Sequence, residues 1–227
     1  MPDCKKARQS CQPQTTTQED LLSSISSASI PYLMEIACPF CQSPVPEAAH
    51  QCPTCFLSLP KLERLLGIPP VLARGVTDLT RQHHRKELSK IRRIIANFEV
   101  LQPESQLNVI FNNFDQNYPL QAQLFWLFNS PSLGRRHIQK ENNRDLLIGI
   151  DTEAGSAGIV IGFGLEPFLS PERLHPILNS ALPSFEQGGY TDAIAILAVG
   201  LDELISSIAK NIAEAPVTLR QSQVATY

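Results

Sequence analysis

The sequence predicts an α/β fold, a mixed sheet flanked by helices and preceded by a small cysteine-bearing ribbon. Three observations carry this. Two Cys-x-x-Cys knuckles, Cys38-Pro-Phe-Cys41 and Cys52-Pro-Thr-Cys55, stand close together in the first quarter of the chain. Beyond about Lys61, stretches with helical apolar spacing alternate with short runs of strand character. With 227 residues and 43% hydrophobic content, the chain can bury the core of one ordinary domain beside one small one.

The elements follow in chain order. Residues 1–30 form a polar tail, with Gln, Pro and Thr alternating from Gln12 to Gln18, and have too little apolar surface to order themselves. Residues 32–60 form the ribbon. Each knuckle places two sulfurs on one side of a tight turn, so two facing knuckles supply the tetrahedral thiolate set that Zn²⁺ accepts. Pro39 and Pro53 fix φ just after the first sulfur of each pair. Phe40, Phe56 and Leu57 are expected to line the small module. A redox dithiol is normally single and opens a helix in a larger unit, which this doubled, Pro-rich stretch does not match. His50 reads as a solvated neighbour of a shell that four cysteines already complete. Such a closed structural site folds its module and performs no chemistry.

Gly67-Ile68-Pro69-Pro70 follows a helical turn at Leu62 to Leu66 and reads as the domain boundary. The main domain is expected over residues 71–213. Asp78 is read as the cap of a helix from Leu79 to Phe98, with Leu88, Ile91, Ile94, Ile95 and Phe98 at core spacing. The other face of that helix carries Arg81, Arg85, Lys86, Lys90, Arg92 and Arg93. It reads as solvated, since no aromatic residues interleave the cations. His83 and Glu87 share a side at i, i+4.

Alternation of Leu107, Val109 and Phe111 predicts a strand, and Pro119 opens a helix from Leu120 to Phe128. Asp145 to Ile150 and Gly158 to Ile161 predict a hairpin. Pro171 to Leu182 and Tyr190 to Ala213 predict two closing helices, and residues 214–227 a flexible tail. The expected order is α, β, α, β, β, α, α, a layered sheet with helices.

Composition narrows the function. A formal net charge of -3 and a pI near 6.0 give the whole molecule no basic field, so RNA is an unfavoured partner. The best apolar run, Ala193 to Val199, is too short to cross a bilayer, so no membrane role is expected. Cys4 and Cys11 lie in the polar tail, which does not match a secreted disulfide framework, and reduced thiolates imply a cytoplasmic setting.

Gly162-Phe163-Gly164-Leu165-Glu166, then Leu169, Leu174, Ile177 and Leu178, then Pro183-Ser-Phe185 and Gly188-Gly189-Tyr190 form a recognisable series. It resembles the TPM domain family, named for a thylakoid-lumen phosphatase-like protein and its relatives in photosystem repair and receptor assembly. Asn142-Asn143-Arg144-Asp145-Leu146-Leu147 occupies the place of that family's Asn-Asn-Gly-Val-Leu-Leu-like strand. The resemblance spans about Gly75 to Ser207. It implies an α/β sandwich, links to calcium or other divalent ions, and a modest phosphatase activity. Phe163 stands where the family has Tyr and Gly189 where an acid is common, so a phenol and a carboxylate are lost.

The residues themselves allow a second site. Asp115, Asp145, Asp151, Glu153 and Glu166 fall at expected strand ends, and oxygen-rich clusters of this kind suit Ca²⁺ or Mg²⁺. Arg135, Arg136 and Arg144 could clamp a phosphate there. Turn acids are ordinarily solvated turn formers. Gly162 and Gly164 are read as a tight strand exit with Phe163 tucked into the core. There is no Gly-x-Ser-x-Gly elbow and no Cys-x₅-Arg signature, so catalytic residues stay unassigned. The resulting expectation is a cytoplasmic TPM-like protein whose zinc ribbon docks a protein partner, in a ligand-binding or scaffold role. The alternative is a divalent-metal-dependent phosphatase acting on phosphomonoesters.

Overall fold

The computed structural model describes residues 35–46, 49–130 and 143–214, all within one compact unit that begins at Met34. The expected tails fall outside the described residues, apart from Glu214. A short antiparallel pair, β1 (Glu35–Ala37) and β2 (Pro44–Pro46), frames the first knuckle. Helix α1 (Leu59–Leu66) follows the second knuckle, with Pro60 in its first turn and Gly67 closing it at φ 83°.

A four-stranded mixed sheet forms the centre, flanked by helices. Its strands are β3 (Val76–Asp78), β4 (Leu107–Asn112), β5 (Leu146–Asp151) and β6 (Ser156–Ile161), and they lie side by side in that order. β3, β4 and β5 are parallel, and β6 returns antiparallel as the expected hairpin. β3 was not expected. Three residues give too short an alternation to register, and the edge strand gains its order by pairing Val76, Thr77 and Asp78 with Val109, Ile110 and Phe111.

Helix α2 (Arg85–Leu101) starts later than expected. Asp78 ends β3 and is no helix cap. Its carboxylate accepts from the Thr80 hydroxyl at 2.6 Å and from the amides of Arg81 at 2.9 Å and His83 at 3.1 Å. The cap is His84, whose Nδ1 accepts from the Lys86 amide at 3.2 Å.

The remaining helices are α3 (Leu120–Asn129), α4 (Pro171–Glu186) and α5 (Tyr190–Glu214). Helix α4 runs past the expected end at Leu182, through Pro176 and Pro183. Both prolines are exposed, as are Glu172 and Asn179, the residues whose carbonyls lose a helical partner, so the missing bonds fall on the solvent side of the helix.

Strand alternation sends side chains to two cores. Val109, Phe111, Ile148, Ile150 and Ile159 meet α2, α4 and α5 on one face. Ile110, Leu147 and Val160 meet α3 on the other, in a cluster that also contains Cys38, Cys52, Leu57 and Leu62 of the ribbon and α1. Because β3, β4 and β5 step one way across the sheet while α2 and α3 lie on opposite faces, the two crossovers have opposite hands. One of them departs from the right-handed preference.

Gly149 and Gly158 face each other across β5 and β6, and the hollow they leave receives Leu124 of α3. A Cβ on Gly149 would stand 2.1 Å from Leu124 Cδ2, and Leu124 is fully buried with nowhere to retreat. Gly149→Ala should therefore cost about 1–3 kcal/mol by overpacking. Adding Leu124→Ala, which alone should cost about 2–5 kcal/mol, should give less than the sum because the new methyl fills the void. Urea denaturation of the four proteins checks this, and strict additivity would contradict the packing.

Asp78 supplies a second test. Burial raises its pKa, but the Thr80 hydroxyl and the His83 and Arg81 amides outweigh this and hold the carboxyl below its ordinary value. A depressed carboxylate contributes stability that is present above the unfolded pKa of about 3.9 and is lost as pH falls through the folded one. Asp78→Asn should lower stability at pH 6 and flatten its acid dependence below about pH 4, as read by melting temperature against pH.

Candidate metal centre

The two knuckles fold alike. The Cys38 amide donates to Ser43 O at 2.9 Å and the Cys52 amide to Leu57 O at 2.8 Å. Gln42 N returns to Cys38 O and Phe56 N to Cys52 O, each at 2.9 Å. The residue after each second cysteine is left-handed, Gln42 at φ 60° and Phe56 at φ 57°. This reversal turns both sulfurs of a pair inward, and glycine is absent from both places where it would ease the turn.

All four sulfurs lie within 4.8 Å of one another, with Cys38 to Cys55 at 3.7 Å and Cys41 to Cys52 at 3.6 Å. Those separations exclude disulfides, which need about 2.05 Å. They match the edge of a tetrahedron, about 3.8 Å, around an ion with metal–sulfur bonds of about 2.3 Å. The residues therefore fit a tetrahedrally coordinated metal ion. It is the sole group of three or more ligating side chains among the described residues. His50 is exposed and stands outside it.

The electrostatics alternate around the cluster. The Ser43 hydroxyl, then its amide, lower the Cys41 thiol to about 6, and the Cys55 amide lowers Cys52. Burial pushes Cys38 up and Cys55 up to about 12. Four thiolates at this spacing need a cation to ionise together. Lys61 donates to Cys55 O at 3.0 Å, placing one fixed positive charge beside them.

The lining differs from expectation. Leu57 is buried, but Phe56 is 60% exposed and Phe40 36%. Phe56 takes the left-handed position of the second knuckle, and Leu57 and Leu62 hold the buried positions beside it.

The carboxylates are divided between the two ends of the sheet. Asp151, Asp115 and Glu153 stand at one end, and Asp145 at the other, six residues of extended chain away, about 20 Å. Glu166 follows β6 at the Asp145 end, because β6 runs antiparallel. Buried Asp151 accepts from Gln116 Nε2 at 2.7 Å and from the amides of Glu153 and Ala154, so it shapes the hairpin turn. Asp115 is exposed and accepts from the Asn117 amide at 2.9 Å. Asp145 is buried and accepts from the Gln106 amide at 3.0 Å, tying the start of β5 to β4. Arg144 pairs with Glu104, while Arg135 and Arg136 lie outside the described residues.

Gly162 is a close approach: a Cβ there would meet Asn143 O at 2.3 Å. The Gly162 amide bonds Asp145 O at 2.8 Å and the Gly164 amide bonds Asn143 O at 2.7 Å, which fixes the strand exit. Phe163 between them is 44% exposed rather than tucked into the core.

The His83–Glu87 pair closes at 3.3 Å, and its surroundings were not legible in the sequence. The ring lies 3.9 Å from Phe111 and 5.0 Å from Tyr190, with Nε2 buried and unbonded among the described residues. Among the described residues, no helix is long and apolar enough to cross a membrane.

No protein-family model matches the chain, and no curated protein matches it. Among solved structures, the N-terminal domain of the cg2496 protein from Corynebacterium glutamicum is similar at 17% identity and a TM-score of 0.45, covering 60% of this chain and 83% of that one. An N-terminal domain from P. gingivalis gives 16% and 0.43, covering 59% and 83%. The BA42 protein from Bizionia argentinensis gives 14% and 0.44, covering 56% and 86%.

Elemental analysis of the protein should return about one metal ion per chain, and Cys38→Ser with Cys52→Ser should abolish it. Because Cys38 and Cys52 share a core with the sheet, chelation should also lower the melting temperature of the whole unit. A sheet that melts unchanged after metal removal would contradict that coupling.

Proposed function

We propose that this is a cytoplasmic docking or scaffold protein, in which a structural zinc ribbon presents a protein-binding surface on a TPM-like domain that binds without turnover. Zinc is the metal that four thiolates in tetrahedral array favour in a site closed to substrate. The observation that carries the docking reading is the outward placement of Phe40 and Phe56 beside the ligands. Aromatic side chains held on a metal-stapled turn lose little entropy on binding and are typical anchors of protein interfaces. The phosphatase alternative draws no support from the carboxylates: Asp145 and Glu166 stand at the opposite end of the sheet from Asp115, Asp151 and Glu153, and no three of them gather as ligands among the described residues.

Affinity capture with the zinc-loaded chain, compared with Phe40→Ser/Phe56→Ser, tests this. Partners should be recovered by the native chain and depleted by about 30-fold or more in the variant, the loss expected for an anchor worth 2 kcal/mol. Metal content should not change. Equal recovery would reject the ribbon as the docking surface. Metal-dependent turnover of phosphomonoesters above an Asp145→Asn/Asp151→Asn control would replace the scaffold reading with an enzyme.

A further inference from the structure

Helix α2 carries a charged surface that the docking reading leaves unused. Five of the chain's 19 lysines and arginines, Arg85, Lys86, Lys90, Arg92 and Arg93, lie on α2, while Arg81, expected on the same helix, stands in the turn before it; all six are exposed. None has an ion-pair partner among the described residues. The acids nearest in sequence are turned elsewhere: Glu87 to His83 at 3.3 Å, and Glu99 to Arg74 at 2.9 Å. On the packed neighbour α5, Asp202 is held by Gln102 at 2.7 Å. Arg85 and Lys86 occupy the first turn, where the helix dipole disfavours cations. The arrangement thus works against helix stability and gains nothing from internal pairing.

Helical periodicity sorts the cations into two rows. With Ile91, Ile95 and Phe98 fixed against the sheet, Lys86, Lys90 and Arg93 line one side of the outer face and Arg85 and Arg92 the other. Ser89 and Ala96 lie between the rows as a floor of small residues. Among the cations the outer face holds no large apolar side chain, and the exposed Val100 and Leu101 lie beyond them at the C-terminal end of α2. Protein interfaces need such anchors and are depleted in Lys. Single strands need aromatic stacking platforms, which are also missing here. A phosphate backbone needs only cations and small polar groups.

We propose that this face of α2 binds the sugar-phosphate backbone of a nucleic-acid duplex, without reading sequence. The net charge of -3 keeps the rest of the surface from joining the contact, so binding is confined to α2 and is weak and salt-dependent.

Fluorescence anisotropy of labelled 20-base-pair DNA and RNA duplexes with the zinc-loaded full chain, from 50 to 200 mM KCl, tests this. Micromolar or weaker binding is expected, with log K falling against log salt at a slope of about -3 to -5 on DNA. Arg92→Glu/Arg93→Glu should weaken binding more than about tenfold and reduce the slope by about 2, while Arg92→Lys/Arg93→Lys should stay within about twofold. Circular dichroism melts and metal content verify that each variant is folded. No binding at 50 mM, or affinity unchanged by charge reversal, overturns the proposal. So does equal or tighter binding to polyglutamate or to phosphatidylserine vesicles, which would assign the face to an acidic protein or a membrane.

Discussion

Leu124, seated in the hollow between Gly149 and Gly158, sets how closely α3 lies on the sheet, and much else depends on that distance. Every residue of β5 is buried, so both faces of the sheet must be covered by apolar surface. Among the described residues, α2, α4 and α5 cover one face, whereas the ten-residue α3 lies on the other. Two glycines let this helix approach closely. Leu57, Leu62 and Leu72, from the segment that begins at the second knuckle, join the same apolar cluster.

The metal centre therefore has a structural task beyond its own ribbon. Cys38 and Cys52 are almost inaccessible and belong to the apolar cluster under α3, while Cys41 and Cys55 are only partly buried. Burying thiolates in apolar surroundings is costly unless a cation neutralises them. A metal ion bound there would remove that penalty and hold Leu57 and Leu62 in place at the same time. The energetics of the ribbon and of the sheet's second face are linked through these shared contacts.

What the sequence revealed followed the range of the interaction. Knuckle spacing is a local covalent property, so Cys38, Cys41, Cys52 and Cys55 could be read directly as one site. Helices α2, α3 and α5 and the β5–β6 hairpin were legible because their apolar periods extend over many residues. β3 was not, since three residues at an edge acquire meaning only once paired with β4. Asp78 looked like a cap because a carboxylate before a helical pattern usually is one. The intervening Thr80 to His83 turn, built on that same carboxylate, moved the cap to His84. The acids could not be sorted either, since whether Asp145 and Asp151 meet depends on strand direction and length. Exposure at Phe56 and Phe163 was hidden for a similar reason: an aromatic beside a turn looks apolar in sequence, and backbone direction alone decides which way it faces.

The two candidate surfaces lie on opposite sides of the same sheet, since the ribbon packs with α3 and α2 packs on the other core. Between them stand the close-packed β4 and β5, whose side chains fill both cores with little freedom to rearrange. Coupling between distant sites needs an element with two discrete arrangements, which close-packed aliphatic side chains do not by themselves supply. Binding at the two proposed surfaces would then be additive. A partner held at Phe40 and Phe56 would leave the cations of α2 equally free for a second one, which is the property a scaffold needs and one a switch could not use.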